Sequence, residues 1–170
     1  MPGLEQEIYE WESLAVGTPS ALYERHSTDP NFVPQLVALL TEVPAQRGST
    51  WLLKHHLETS PDSIDPELAG QIYSNCSTLE HWEAKLHLLQ CIALLPVPAE
   101  QAQAVASFIR ECVSSKKKFV KAWAYSAFSE LAAQHLEYQD EANALLDFAF
   151  DNETAASVRA RIRNIRDSRC

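Results

Sequence analysis

Residues 120–131 read VKAWAYSAFSEL. Val120, Ala124, Ala127, Phe128 and Leu131 fall on one stripe at helical spacing. The small alanines let a neighbouring helix approach closely, and Ala127, Phe128 and Leu131 fill the core between helices. Lys121 heads this stripe, and the same position recurs. Lys54 in WLLKHHLE (51–58), Lys85 in WEAKLHLLQCIALL (82–95), Lys121, and Arg159 in VRARIRNI (158–165) align at spacings of 31, 36 and 38 residues. Self-similarity at this period is the mark of stacked helix pairs, in which each pair buries its faces only against its neighbours. The first two stretches also share Trp-x-x-Lys-x-His-Leu. The histidine does not persist in the other two copies, so the basic position is what repeats.

Outward from this stretch the chain reads as helix after helix, with no convincing strand. Helices are expected at 4–16 and 20–27, broken by Thr18-Pro19-Ser20. Asp29-Pro30 is expected to cap and open NFVPQLVALLTE, because aspartate accepts from the first-turn amides and proline fits the first helical position. The chain is expected to turn at Arg47-Gly48, with Ser49 capping the helix that holds WLLKHHLE. Asp65-Pro66 repeats the cap-and-proline start. A long helix is expected over 79–95, stopped by Pro96-Val97-Pro98. AEQAQAVASFIRECVSS, the opening stretch, EANALLDFAFDN and TAASVRARIRNIRD complete the series. The expected organisation is a single domain over 1–170, with an N-terminal cap at 1–28. Helix pairs follow at 29–60, 61–97, 98–136 and 137–170.

Composition narrows the classes. The chain has 170 residues and only 4 glycines, too few for glycine-rich phosphate loops or an all-β fold. No apolar run approaches the ~18 residues a membrane span needs, and the acidic start lacks the apolar core of a signal peptide. Cys76, Cys91, Cys112 and Cys170 are widely spaced, three of them in apolar helical contexts. They read as reduced thiols of a cytoplasmic protein. The formal net charge is −9, unevenly spread. Residues 1–115 carry 5 basic and 15 acidic side chains, and residues 116–170 carry 9 and 8. A globally acidic chain binds polyanions only where its cations gather on one face.

VKAWAYSAFSEL and VRARIRNI resemble the second helix of HEAT-type repeats, in which a Val-Lys or Val-Arg pair is followed by spaced small and apolar residues. WEAKLHLLQCIALL and WLLKHHLE resemble it less closely. The resemblance covers about 31–165; a tetratricopeptide-like array, whose period is ~34 residues but whose Trp-Leu-Gly-Tyr pattern is not visible, and an ordinary helical bundle are the alternatives. It implies an all-α fold, a right-handed α-solenoid of about four antiparallel helix pairs with an N-terminal capping region. It also implies that the second helices line a concave side. Acidic faces bearing Glu5, Glu7, Glu10 and Glu12 suit a capping helix.

Candidate binding residues follow from that placement. Of 14 Lys and Arg, ten lie on or just before the second helices: Lys54, Lys85, Lys116, Lys117, Lys118, Lys121, Arg159, Arg161, Arg163 and Arg166. A cationic stripe would take an anion-bearing partner. The competing structural reading pairs the aligned cations with acids of the adjacent repeat, holding the stack together. Trp51, Trp82 and Trp123 lie beside Leu and Ala and read as core. Tyr125, off the apolar stripe, is expected to be exposed. His87, between Glu83 and Gln90, is expected on a polar surface stripe. Lys54, Lys85, His87, Lys118, Lys121, Tyr125, Arg159 and Arg161 are therefore the candidate partner-binding set.

No catalytic residue, metal site or cofactor is expected. His55, His56, His81 and His87 lack the i, i+4 spacing that sets two ligands on one helix face. Alkylated-base glycosylases of HEAT-like fold need a carboxylate poised in a basic cleft. Glu83 and Glu130 are the only mid-helix carboxylates of the later second helices before Asp167. The expected function is a non-catalytic scaffold that binds a protein partner. Nucleic-acid binding by the basic stripe is the alternative.

Overall fold

The computed structural model describes residues 2–169; Cys170 lies outside the described residues. Ten α-helices, joined by short connections and 3-10 turns, make up its regular structure, and no strand occurs among the described residues. They are α1 (Leu4–Leu14), α2 (Pro19–His26), α3 (Phe32–Ala38), α4 (Gln46–Thr59) and α5 (Pro66–Ser74). The rest are α6 (Trp82–Cys91), α7 (Ala102–Val113), α8 (Lys118–Gln134), α9 (Gln139–Asn152) and α10 (Ala156–Ser168). Among the described residues, no helix is long and apolar enough to cross a membrane.

Asp65-Pro66 opens α5 as expected, and Thr18-Pro19, expected only as a break, opens α2 in the same way. Thr18 Oγ1 accepts from the Ala21 amide at 3.2 Å, and Asp65 Oδ1 from the Leu68 amide at 2.8 Å. In each case proline occupies the first helical position. Three boundaries differ. Asp29 closes a turn onto the Asn31 amide at 2.8 Å, so α3 opens at Phe32, not at Pro30. Arg47-Gly48 is not a turn but lies inside α4, and Ser49 is buried mid-helix, donating to the Ala45 carbonyl at 2.8 Å. Gly48 has a packing reason to be glycine: a Cβ there would lie 2.9 Å from Ile8 Cγ2 and 3.3 Å from the Trp11 ring. Third, His81 Nδ1 accepts from the Glu83 amide at 3.1 Å, so α6 opens at Trp82 and is shorter than expected.

Packing follows the alignment of the second helices. α4 lies against α6, α6 against α8, and α8 against α10; α3 packs on α5, and α5 on α7. The larger core cluster runs from Leu4 in α1 to Ala142 in α9. A second cluster joins Ala122, Tyr125, Leu146, Ala149, Val158, Ile162 and Ile165. α8 belongs to both, through Ala124, Ala127, Phe128 and Leu131 on one side and Ala122 and Tyr125 on the other. Each large side chain so buried contributes roughly 1.5–3 kcal/mol. The expected exposure of Tyr125 is therefore corrected. Its ring fills the space where α9 and α10 meet α8, and burial pushes its hydroxyl pKa up.

The N-terminal helices are tied down by polar contacts. Glu7, expected on an exposed face, is buried and bonded to Arg25, with His26 Nε2 at 3.1 Å. The Arg25 guanidinium holds the Glu7 carboxyl below its usual range. Glu12 meets Arg47 Nη2 at 2.9 Å and accepts from the Gly48 amide at 2.6 Å. Gln46 is fully buried and serves as a bridge. Its Nε2 donates to the Leu40 and Thr78 carbonyls at 3.0 and 2.8 Å, and its Oε1 accepts from the Glu80 amide at 2.8 Å.

Candidate functional site

Three of the four aligned cations are paired with carboxylates. Lys85 Nζ lies 3.1 Å from Glu111 on α7, and Lys121 Nζ lies 2.6 Å from Glu153 ahead of α10. Both reach forward to an acid later in the chain. The bonded Lys121 ammonium holds the Glu153 carboxyl below its usual range. Lys54 pairs within its own helix, with Glu58 at 2.9 Å. Arg159 is exposed and forms no ion pair among the described residues. Three of the four cations are thus neutralised locally. Because these pairs are partly solvated, each is worth at most about 1 kcal/mol.

What the second helices present instead is aromatic. Trp51, Trp82 and Trp123 are half-buried and pack against the core, as expected, and each ring also carries a cationic or imidazole partner. Trp51 stacks with His55 at 4.8 Å. Lys117 Nζ lies over Trp82 at 5.0 Å, and the Arg161 guanidinium lies over Trp123 at 4.0 Å. Such contacts contribute about 0.5–1 kcal/mol at exposed sites and more when desolvated. On α6 the half-buried Trp82, Leu86 and Gln90 follow helical spacing, and the exposed Ala93 lies in the turn just after the helix. On α8 the surface runs through Phe119, which is 62% exposed, to Trp123, Ser126 and Glu130. Between α6, α8 and α10 lies a cleft of about 220 Å³, lined in part by Ala93, Trp123, Ser126, Glu130, Arg161 and Asn164.

The remaining candidates divide. Lys116, Lys117 and Lys118 are exposed just before and at the start of α8, and Arg163 is exposed on α10. Arg166 lies over Phe150 at 4.1 Å. His87 is not on a polar surface stripe; it is buried, with Nδ1 3.0 Å from Thr50 Oγ1. Thr50 gives its own proton to the Gln46 carbonyl at 2.7 Å, so the Nδ1 proton belongs to His87. Burial moves its pKa down to about 4, with Lys54 adding to the effect. The neutral ring ties α6 to α4. His56 is likewise held, by Tyr23 Oη at 3.1 Å and Ser63 Oγ at 3.0 Å, and burial lowers its pKa.

Burial pushes the Cys76 thiol up to about 11 and the Cys91 and Cys112 thiols up to about 12. Thiols kept protonated in apolar surroundings are poor nucleophiles. Among the described residues, no three His, Cys, Asp or Glu side chains converge as metal ligands. No family model matches the chain, and neither a curated protein nor a solved structure matches it.

The sequence reading missed the tryptophan–cation stacking and the cleft beneath it. The signal was present in the spacing of Phe119, Trp123, Ser126 and Glu130, which marks a solvent stripe on α8. Lys121, one position of the repeat, lies off that stripe and pairs with Glu153.

Proposed function

We propose that the chain is a non-catalytic α-solenoid of HEAT-like helix pairs that binds a protein partner along its second helices. The packing order α4–α6–α8–α10, beside α3–α5–α7, supports the solenoid reading. One observation carries the partner reading. The aligned lysines are matched by acids, and the surface left between them is a run of half-exposed aromatic and small polar side chains. Aromatic anchors among short polar groups are what polypeptide recognition uses, because large rigid rings bury area at little entropic cost. Protonated buried thiols and hydroxyl-bound neutral histidines fit a scaffold better than an enzyme.

The test is affinity purification of the full chain beside a Phe119→Ala/Trp82→Ala double variant. A protein recovered stoichiometrically with the parent and lost with the variant is the expected result. Equal recovery by both, or turnover in a substrate screen, overturns the reading.

A second reading, nucleic-acid binding, draws on the exposed Lys116–Lys118 cluster with Lys117 over Trp82. It requires single-stranded probes to bind at low salt and to dissociate steeply as salt rises. Lys116→Glu/Lys118→Glu would abolish that binding.

A further inference from the structure

Arg161 differs from the other half-buried or paired arginines of the molecule. Arg25 is bonded to Glu7, Arg47 to Glu12 and Arg110 to Glu141 in a two-bond fork. Arg161 is half-buried and oriented by the Trp123 ring beneath it, yet no carboxylate lies within ion-pair distance among the described residues. A guanidinium held over an indole by its cation–π contact keeps N–H donors that can meet a carboxylate in a two-bond fork. Those groups border the cleft between α6, α8 and α10. The Ser126 hydroxyl, the Asn164 amide and the Glu130 carboxylate border it too, and Glu130 also lacks an ion-pair partner among the described residues.

We infer that this cleft is the specificity pocket of the partner site, taking the carboxylate of an acidic side chain in a bound polypeptide segment. The inference rests on the partner reading above. Arg161 receives the carboxylate, Ser126 and Asn164 supply neutral hydrogen bonds, and the Trp123 ring bears the apolar part of the same segment. Glu130 selects a neighbouring amide or cationic side chain. Size supports a side chain over a free small molecule: about 220 Å³ falls below the ~300–1,000 Å³ of typical small-molecule pockets. Charge supports a polypeptide over a nucleic-acid strand. A repeating phosphate backbone would bring many charges against Glu130 and a chain of net charge −9, whereas a single acid among neutral residues brings one, which Arg161 offsets.

The experiment screens the full chain against an array of random ten-residue peptides and against single-stranded oligo-dT. Peptides with an Asp or Glu are expected to dominate the binders. Changing that residue to Asn or Gln should weaken binding at least about tenfold, as should Arg161→Gln and Arg161→Lys in the protein, since lysine lacks the planar fork. The peptide change leaves the protein untouched, so loss there cannot come from misfolding. Glu130→Gln should remove any preference for a basic residue beside the acid. Binders without acids, or affinities indifferent to Arg161, overturn the pocket while leaving the scaffold reading standing. An array with no bound peptide overturns the scaffold reading itself, and oligo-dT binding in its place establishes the alternative.

Discussion

At the N-terminal end, α1 is held to α2 and α4 by the carboxylates of Glu7 and Glu12, which meet Arg25, His26, Arg47 and a backbone amide. At the C-terminal end, α9 and α10 are held to α8 by a seven-residue apolar cluster. Arg159 and Arg163 stand in solvent there, and Phe148 is 69% exposed. The N-terminal end buries its carboxylate contacts, whereas the C-terminal end adds Lys121–Glu153 and Arg169–Ser129 to its apolar cluster and leaves Arg159 and Arg163 in solvent. Buried polar groups cost much when orphaned, and exposed ones cost little. The same residue types therefore carry opposite consequences at the two ends.

The strongest challenge to this contrast is Gln46→Ala. It strands the Thr78 carbonyl and the Glu80 amide, and should destabilise the fold by about 2–3 kcal/mol in urea titration. A cost under about 0.5 kcal/mol would show that the N-terminal polar bridge is ornamental.

Acid is the next probe. His87 has a folded pKa of about 4 against a usual 6.5, so it opposes protonation in the native state. Its contribution is fully present above pH 6.5 and is lost as pH falls toward about 4. The expected slope in that window is about 1.4 kcal/mol per pH unit beyond the carboxylate background. His87→Gln should flatten it; an unchanged slope between pH 6.5 and 5 would falsify the assignment.

The smallest effect belongs to the forward-reaching pairs. Lys85→Met should cost less than about 1 kcal/mol, because Glu111 is largely exposed and rehydrates. A loss above about 2 kcal/mol would mean that the ion pairs, and not the apolar clusters, hold successive helix pairs together.

The all-helical class was legible because helical period, scarce glycine and cap-plus-proline starts agreed along most of the chain. The boundaries that moved are those decided by distant contacts. Arg47-Gly48 looks like a turn by local propensity, and only the approach of Ile8 explains a glycine inside α4. Tyr125 looked exposed because a single apolar stripe was assigned to α8, whereas that helix serves two clusters. The cationic position was visible, but its direction was not: Glu111 and Glu153 lie 26 and 32 residues beyond their lysines. Arg161 was among the candidates for its charge alone. The indole that orients it sits 38 residues earlier, the spacing that separates Lys121 from Arg159, so the repeat aligned the two residues without showing that they touch.

The Glu12–Gly48 hydrogen bond makes two remote segments answerable to each other. α4 has no side-chain cap of its own, and its third amide finds an acceptor only on α1. That amide is therefore a clock for the docking of the first helix: its proton exchanges with solvent when α1 lifts away, even while the rest of α4 stays wound.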